Sequence, residues 1–240
     1  MVAERKTALV ISAHSADFVW RAGGAIALHA ERGYHVRVIC LSFGERGESA
    51  KLWRQPGMTL GRVKEDRQRE AQEAADILGC EVVFLDVGDY PMRTSDEVLY
   101  TLVDHYRELQ PAFVLTHSLA DPYNFDHPHA AHLAQEARII AQAHGHDPAR
   151  PVLGAPQVYL FEPHQTEQCN WRPDAFIDIG SVWEKKRRAF ECMAAQEHLW
   201  EYYSRVALQR GNQAARNSGL KVTHGEAYQR LFPHVMDVLA

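Results

Sequence analysis

The chain has 240 residues, 46% of them hydrophobic, enough to bury one large core. Its 26 basic residues are spread along the sequence, outnumbered by 31 acidic ones for a net charge of -5, so no basic face advertises nucleic acid or a membrane surface. Cys40, Cys80, Cys169 and Cys192 have no paired spacing, which argues against a disulfide framework or a thiolate zinc site; with 14 histidines, imidazole is the expected metal donor.

No window approaches a transmembrane run and no leader pattern is recognisable, so a cytoplasmic protein is expected. Thr7 to Ala13 (TALVISA) and His35 to Phe43 (HVRVICLSF) are apolar runs of buried strands, with a helix from about Phe18 to Arg32 between them, closed by Gly33. A helix from Arg62 to Leu78 follows, stopped by Gly79, then the strand EVVFLDV. Thr94 to Glu97 (TSDE) form a capping box for a helix to about Gln110. The strand AFVLTHS, the helix HAAHLAQEARIIAQAHG, the shorter strands QVYLF and AFIDIG, and helices from Val182 to about Arg210 complete the order. This alternation predicts an α/β fold, a Rossmann-like doubly wound and mostly parallel sheet, in which ligands bind beyond the carboxyl ends of strands. A single domain over 1–240 is expected, with 1–145 as the Rossmann-like core and 146–240 completing the site; HGHDPARPVLGAP is read as an internal loop.

Four polar clusters fall at carboxyl ends of expected strands: His14 with Asp17, GERGES, HSLADPYNFDHPHAAH and EPHQ. They should share one rim. Two donors close in sequence plus a distant histidine make a three-ligand metal site with an open position, and His14, Asp17 and His127 are the candidates. The mixed imidazole and carboxylate set suits Zn(II), and the same donors accept Fe(II), Mn(II) or Co(II). The competing reading has His14 bonding its turn, Asp17 capping the helix and the loop histidines solvated.

Ala13 to Asp17 (AHSAD), followed by Gly23 and Gly24, resembles the AHPDD…GG signature of the PIG-L/LmbE-like zinc proteins, mostly N-acetylglucosaminyl deacetylases. GERGE, RQRE, NFDH, AAQEH and GEAYQR resemble further segments of that family, so the resemblance runs through most of the chain. It implies that His14, Asp17 and His127 take the places of three zinc ligands. Two positions depart from the pattern. The family deacetylases carry a general-base carboxylate immediately before the metal aspartate, where this chain has Ala16, and the histidine opening the last metal motif is Asn124 here.

SAHSADFVWRAGG, GERGESAKLW and FEPH resemble more narrowly the 4-oxalomesaconate hydratase branch of the family, also called 4-carboxy-2-hydroxymuconate hydratases. That resemblance implies a hydro-lyase of gallate and protocatechuate degradation, adding water to a C=C bond of a tricarboxylate to give 4-carboxy-4-hydroxy-2-oxoadipate. Lacking one carboxylate at position 16 also eases the approach of an anion, since two like charges about 4 Å apart repel by roughly 1 to 4 kcal/mol. Glu48 and His164, on loops that should face each other over the metal, are the expected acid/base pair. Glu45 is the competing carboxylate, read as a salt-bridged loop residue, and His164 alone reads equally as a ring stacked on Trp171. Arg46, Lys51 and Arg54 are candidate carboxylate binders, with Asn124 and His129 beside the metal. Asp126 is expected to orient the metal histidine that follows it, and KKRR (Lys185 to Arg188) to be an exposed helix face. The runner-up is a zinc amidase or deacetylase using Glu48 as base. A nucleotide-binding module lacks its phosphate cradle, because no glycine-rich loop of that kind follows the first strand. A homo-oligomer is expected; HLWEYY (His198 to Tyr203) packs either on another subunit or on the sheet.

Overall fold

Strand β1 (Thr7–Ser12) is apolar on both faces, so it needs helices on each side. The computed structural model describes residues 5–236 and orders them as β1, α1 (Asp17–Glu31), β2 (His35–Cys40), α2 (Ala50–Trp53), α3 (Leu60–Leu78), β3 (Glu81–Phe84), α4 (Asp96–Leu109), β4 (Phe113–Thr116), α5 (Asp126–Ala141), β5 (Gln157–Phe161), β6 (Ala175–Asp178), α6 (Trp183–Cys192), α7 (Trp200–Ser218) and β7 (Gly225–Arg230). All seven strands form one sheet, in the order β3-β2-β1-β4-β5-β7-β6. Ala8 and Val10 face α1, α3 and α6, where Phe18, Ala74 and Phe190 pack. Leu9 and Ile11 face the opposite layer, α4 and α5, with Leu102, Tyr106, Leu133 and Ala137. Each such large apolar side chain contributes about 1.5–3 kcal/mol by leaving water.

Strands β1 to β5 pair in parallel, so their carboxyl ends, and the loops that leave them, lie at one rim. The mostly parallel sheet agrees with the sequence reading. One strand was not foreseen: GEAYQR is β7, inserted antiparallel between β5 and β6. Its apolar signal is weak because its second residue, Glu226, is buried as the partner of Lys186, at 2.6 Å.

That pair also corrects the reading of KKRR. Lys186 is buried, while Lys185 and Arg187 lie on the exposed side of α6. Glu226 accepts from Lys186, from Tyr228 Oη, and from the backbone N–H groups of Gly24 and Ala25 inside α1. Gly24 makes this approach possible, because a Cβ there would stand 2.5 Å from Ile179 Cγ2 and 2.8 Å from Glu226 Oε1.

Two local expectations also shift. Helix α4 is capped by Ser95, whose hydroxyl accepts from Val98 N, while Thr94 Oγ1 meets His129 Nε2 at 2.9 Å. The helical run after Val182 is broken by a 3-10 segment, Ala194–Leu199, that lays Gln196 at the rim. No helix among the described residues is long and apolar enough to cross a membrane.

Candidate metal centre and active-site cleft

The turn leaving β1 folds back on itself because Asp17, in the first turn of α1, accepts from the backbone N–H of His14 at 3.0 Å. The same oxygen lies 3.0 Å from His14 Nδ1. A carboxylate suits a helix N-terminus, where unpaired N–H groups and the helix dipole favour negative charge. Ala16 is wholly buried and its methyl joins the apolar core beside Phe18 and Val19.

His127, at the start of α5, completes a cluster with this turn. Ligand atoms of His14, Asp17, Glu48 and His127 all lie within 4.8 Å of one another. His14 Nδ1 is 3.2 Å from Glu48 Oε1, and His127 Nε2 is 3.5 Å from Asp17 Oδ1 and 3.9 Å from Glu48 Oε1. Donors around a tetrahedral zinc, each about 2.0–2.1 Å from the ion, stand roughly 3.3 Å apart. The spacing and the donor chemistry therefore fit a divalent cation. His14, Asp17 and His127 are almost wholly shielded, whereas the Glu48 side chain retains 14% of its exposure and opens onto solvent.

Each histidine is held from behind. His14 Nε2 faces Asp126 Oδ2 at 3.3 Å, and His127 Nδ1 faces Asp121 Oδ2 at 2.9 Å. Asp126 was expected to orient His127. Its carboxylate instead turns across the rim to His14 and to the N–H groups of Tyr90 and Met92, and Asp121 serves His127. Asn124 Nδ2 approaches both His127 Nε2 at 3.2 Å and Glu48 Oε1 at 3.3 Å. His117, at the end of β4, accepts from Ala13 N and stacks on His127.

The electrostatics match this arrangement. Burial disfavours a His14 cation, but Glu48, Asp126 and Asp17 outweigh it and raise the imidazole well above its usual value. Burial likewise opposes ionised Asp17, yet His127 and His117 hold it well below the usual carboxylate range. Asp126 is held down to about 2, against burial, by His14 and two backbone donors. Burial and His127 push the His117 imidazole well below its usual value.

The GERGES loop owes its shape to two glycines and an outside carboxylate. Gly44 has φ +68, and a Cβ there would press on His14 Cβ at 3.3 Å. At Gly47 a Cβ would stand 2.1 Å from the Tyr90 ring. Asp89 gathers the N–H groups of Arg46 and Gly47. Glu45 is buried beneath the loop, accepting from Phe43 N and facing Arg46 and Lys64, so it takes the salt-bridged role.

Above the cluster lies a cleft of about 890 Å³. Glu48, Lys51, Arg54, Asn124, His127 and His164 line it, as does Arg21 from α1. His164 follows β5 and stacks on Tyr202, with ring centroids 4.2 Å apart, not on Trp171. Its Nδ1 is 3.4 Å from Tyr203 Oη, and burial together with Arg21 pushes its pKa down to about 4. Tyr203 also stacks on Trp20, so this part of HLWEYY packs within its own chain.

Two expected carboxylate binders are not brought to the cleft. Arg46 turns back toward Glu45 and Asp89, and His129 is engaged by Thr94. Arg21, Tyr90, Asp121 and Gln196 line the cleft without having been foreseen. Only Arg21 had an available signal, standing one helical turn after Asp17 and therefore on the same face.

A family model described as PIG-L, GlcNAc-PI de-N-acetylase, matches residues 9–138. The chain belongs to the PIG-L family. It is 64% identical over 240 residues to the 4-oxalmesaconate hydratase of Pseudomonas putida KT2440, covering 98% of this chain and 93% of that protein. The crystal structure of GalB, the 4-carboxy-2-hydroxymuconate hydratase of Pseudomonas putida KT2440, superposes with TM-score 0.96 at 64% identity, covering 98% of this chain and 100% of that one. The N,N'-diacetylchitobiose deacetylase of Pyrococcus horikoshii shares the fold, with TM-score 0.78 at 22% identity over 95% of this chain and 84% of that one. Among PIG-L proteins this chain is thus much nearer in sequence to the hydratases than to that deacetylase.

Proposed function

We propose that the chain is a zinc-dependent hydro-lyase that adds water across the C=C bond of 4-carboxy-2-hydroxymuconate (4-oxalomesaconate) to give 4-carboxy-4-hydroxy-2-oxoadipate. The observation that carries this reading is the pairing of Glu48 and His164 in one cleft over the His14, Asp17 and His127 donors, while position 16 holds a methyl packed in the core. The likeness to two proteins named as hydratases supports it.

His14, Asp17 and His127 would hold the ion. When bound, zinc supplies a Lewis acid that polarises an oxygen of the substrate or lowers the pKa of a water. In the keto tautomer, hydration forms a C–O bond at the alkene carbon that carries the branching carboxylate and a C–H bond at its neighbour, so one proton must leave the water and one must reach carbon. The dienol tautomer reaches the same keto product only when its enol proton also moves from oxygen to carbon. Glu48 is held in its ionised form, burial being outweighed by His14, and takes the proton from water. His164, neutral in the free protein, becomes a proton donor once a carboxylate-rich substrate sits beside it, because nearby negative charge favours the imidazolium. The Tyr202 stack and the Tyr203 hydroxyl keep its ring facing the cleft.

The test is a direct comparison of two activities on purified, zinc-loaded protein. Loss of the dienol absorbance of the tricarboxylate, with no acetate released from N-acetylglucosamine derivatives, is the expected result. Acetate release without hydration overturns the proposal.

A further inference from the structure

A trianionic substrate meets an unfavourable inner wall in this cleft, since Glu48 and Asp121 line it and Asp17 lies at its floor. Lys51 and Arg54 are exposed at the mouth, and Lys51 is already paired with Glu197 at 2.7 Å. Arg21 is the only buried lysine or arginine among the described residues that line the cleft, at 7% exposure. Its Nε donates to Asp17 Oδ1 at 3.3 Å and its Nη1 to the Glu162 carbonyl at 2.6 Å. Nη2 forms no hydrogen bond among the described residues, although the side chain reaches the cleft. A guanidinium carries five N–H donors in one rigid plane, and Nη2 is not among the solvent-shielded atoms left without a partner, so this edge stays open to an incoming acceptor.

We propose that Arg21 is the carboxylate anchor of the cleft: its open guanidinium edge takes one substrate carboxylate and thereby selects tricarboxylates over dicarboxylates. This rests on the hydratase reading above and names the group that recognises its substrate. Both inner contacts fix where the anchored carboxylate sits. Asp17 ties the guanidinium to the metal cluster, and the Glu162 carbonyl ties it to the loop that carries His164. The backbone behind Arg21 is equally fixed, since the Arg21 carbonyl accepts from Tyr228 Oη and Gly24 and Ala25 donate to Glu226. A carboxylate seated on Arg21 also offsets the charge that helps keep His164 neutral, so anchoring and proton donation are coupled. Arginine suits this role better than lysine because its planar fork matches a carboxylate and is already oriented.

The experiment compares wild type, Arg21→Gln and Arg21→Lys as zinc-loaded enzymes. It reads kcat and KM for hydration, the dissociation constants of tricarballylate and glutarate by titration calorimetry, and bound zinc per chain. The expected result for Arg21→Gln is retained zinc, a KM raised by about 10- to 100-fold, and loss of the preference for tricarballylate over glutarate. Arg21→Lys should recover only part of that preference. Hydration with the preference intact in Arg21→Gln overturns the anchor, as does loss of zinc with the preference unchanged, which would make Arg21 only a brace for Asp17. If wild type does not hydrate the tricarboxylate, yet its tricarballylate preference vanishes in Arg21→Gln, the anchor stands and the hydratase reading falls.

Discussion

Asp126 and His14, 112 residues apart in the chain, meet with Oδ2 and Nε2 separated by 3.3 Å. With Nε2 given to this carboxylate, Nδ1 is the nitrogen left to face Asp17 and Glu48. Asp121 does the same for His127, leaving its Nε2 toward the cluster.

In the proposed zinc site these outer carboxylates would orient the two histidines, and removing them should weaken zinc binding. Asp126→Asn and Asp121→Asn are each expected to lower zinc affinity by about 10- to 100-fold. Competition against a chromophoric chelator measures it. Unchanged affinity in both variants would show that the histidines need no support from behind.

Glu48 lies among the donors yet keeps more exposure than the other three. Glu48→Gln should therefore retain zinc while kcat falls by about 10²- to 10⁴-fold. Metal content and steady-state rates on one preparation decide the matter. Loss of zinc in this variant would make Glu48 a ligand, not the base.

The pH dependence at His164 has a definite sign. Burial and Arg21 bring its pKa down to about 4, against the nearby carboxylates of Asp121 and Glu48, with His127 adding to the depression. Between about pH 4 and the ordinary histidine value of about 6.5, the unfolded chain binds more protons at this residue than the folded one. Its contribution to stability is thus present above that window and is lost as pH falls through it. Urea midpoints at pH 7 and pH 5 should differ less for His164→Gln than for wild type.

The Glu226 clamp holds α1, and with it Asp17 and Arg21. Gly24→Ala should destabilise the fold by about 1–3 kcal/mol, because the new methyl collides with Ile179 and Glu226. Lys186→Met should cost about 3–5 kcal/mol by leaving a buried carboxylate without its cation. Urea denaturation measures both. If Lys186→Met leaves stability unchanged, the buried pair is not a clamp.

Much of this protein was legible from one dimension. The apolar runs of β1 and β2, the closing glycines Gly33 and Gly79, and the strand-helix alternation each follow from local preference and burial, and so specified a layered α/β fold. Because parallel strands end at one rim, the sequence also implied that His14, Asp17, Glu48, His127 and His164 would converge, and the structure brings them together. Direction within that rim was not legible. Whether Asp126 turns to His14 or His127, whether Arg46 or Arg21 points inward, and where the polar strand β7 inserts all depend on contacts between residues far apart in sequence. Sequence patterns determine which backbone segments are buried and extended, because that is a local balance of propensity and hydrophobicity. A polar side chain has no such local preference: its orientation is decided by which distant donor or acceptor repays its removal from water, and only the folded chain supplies that partner.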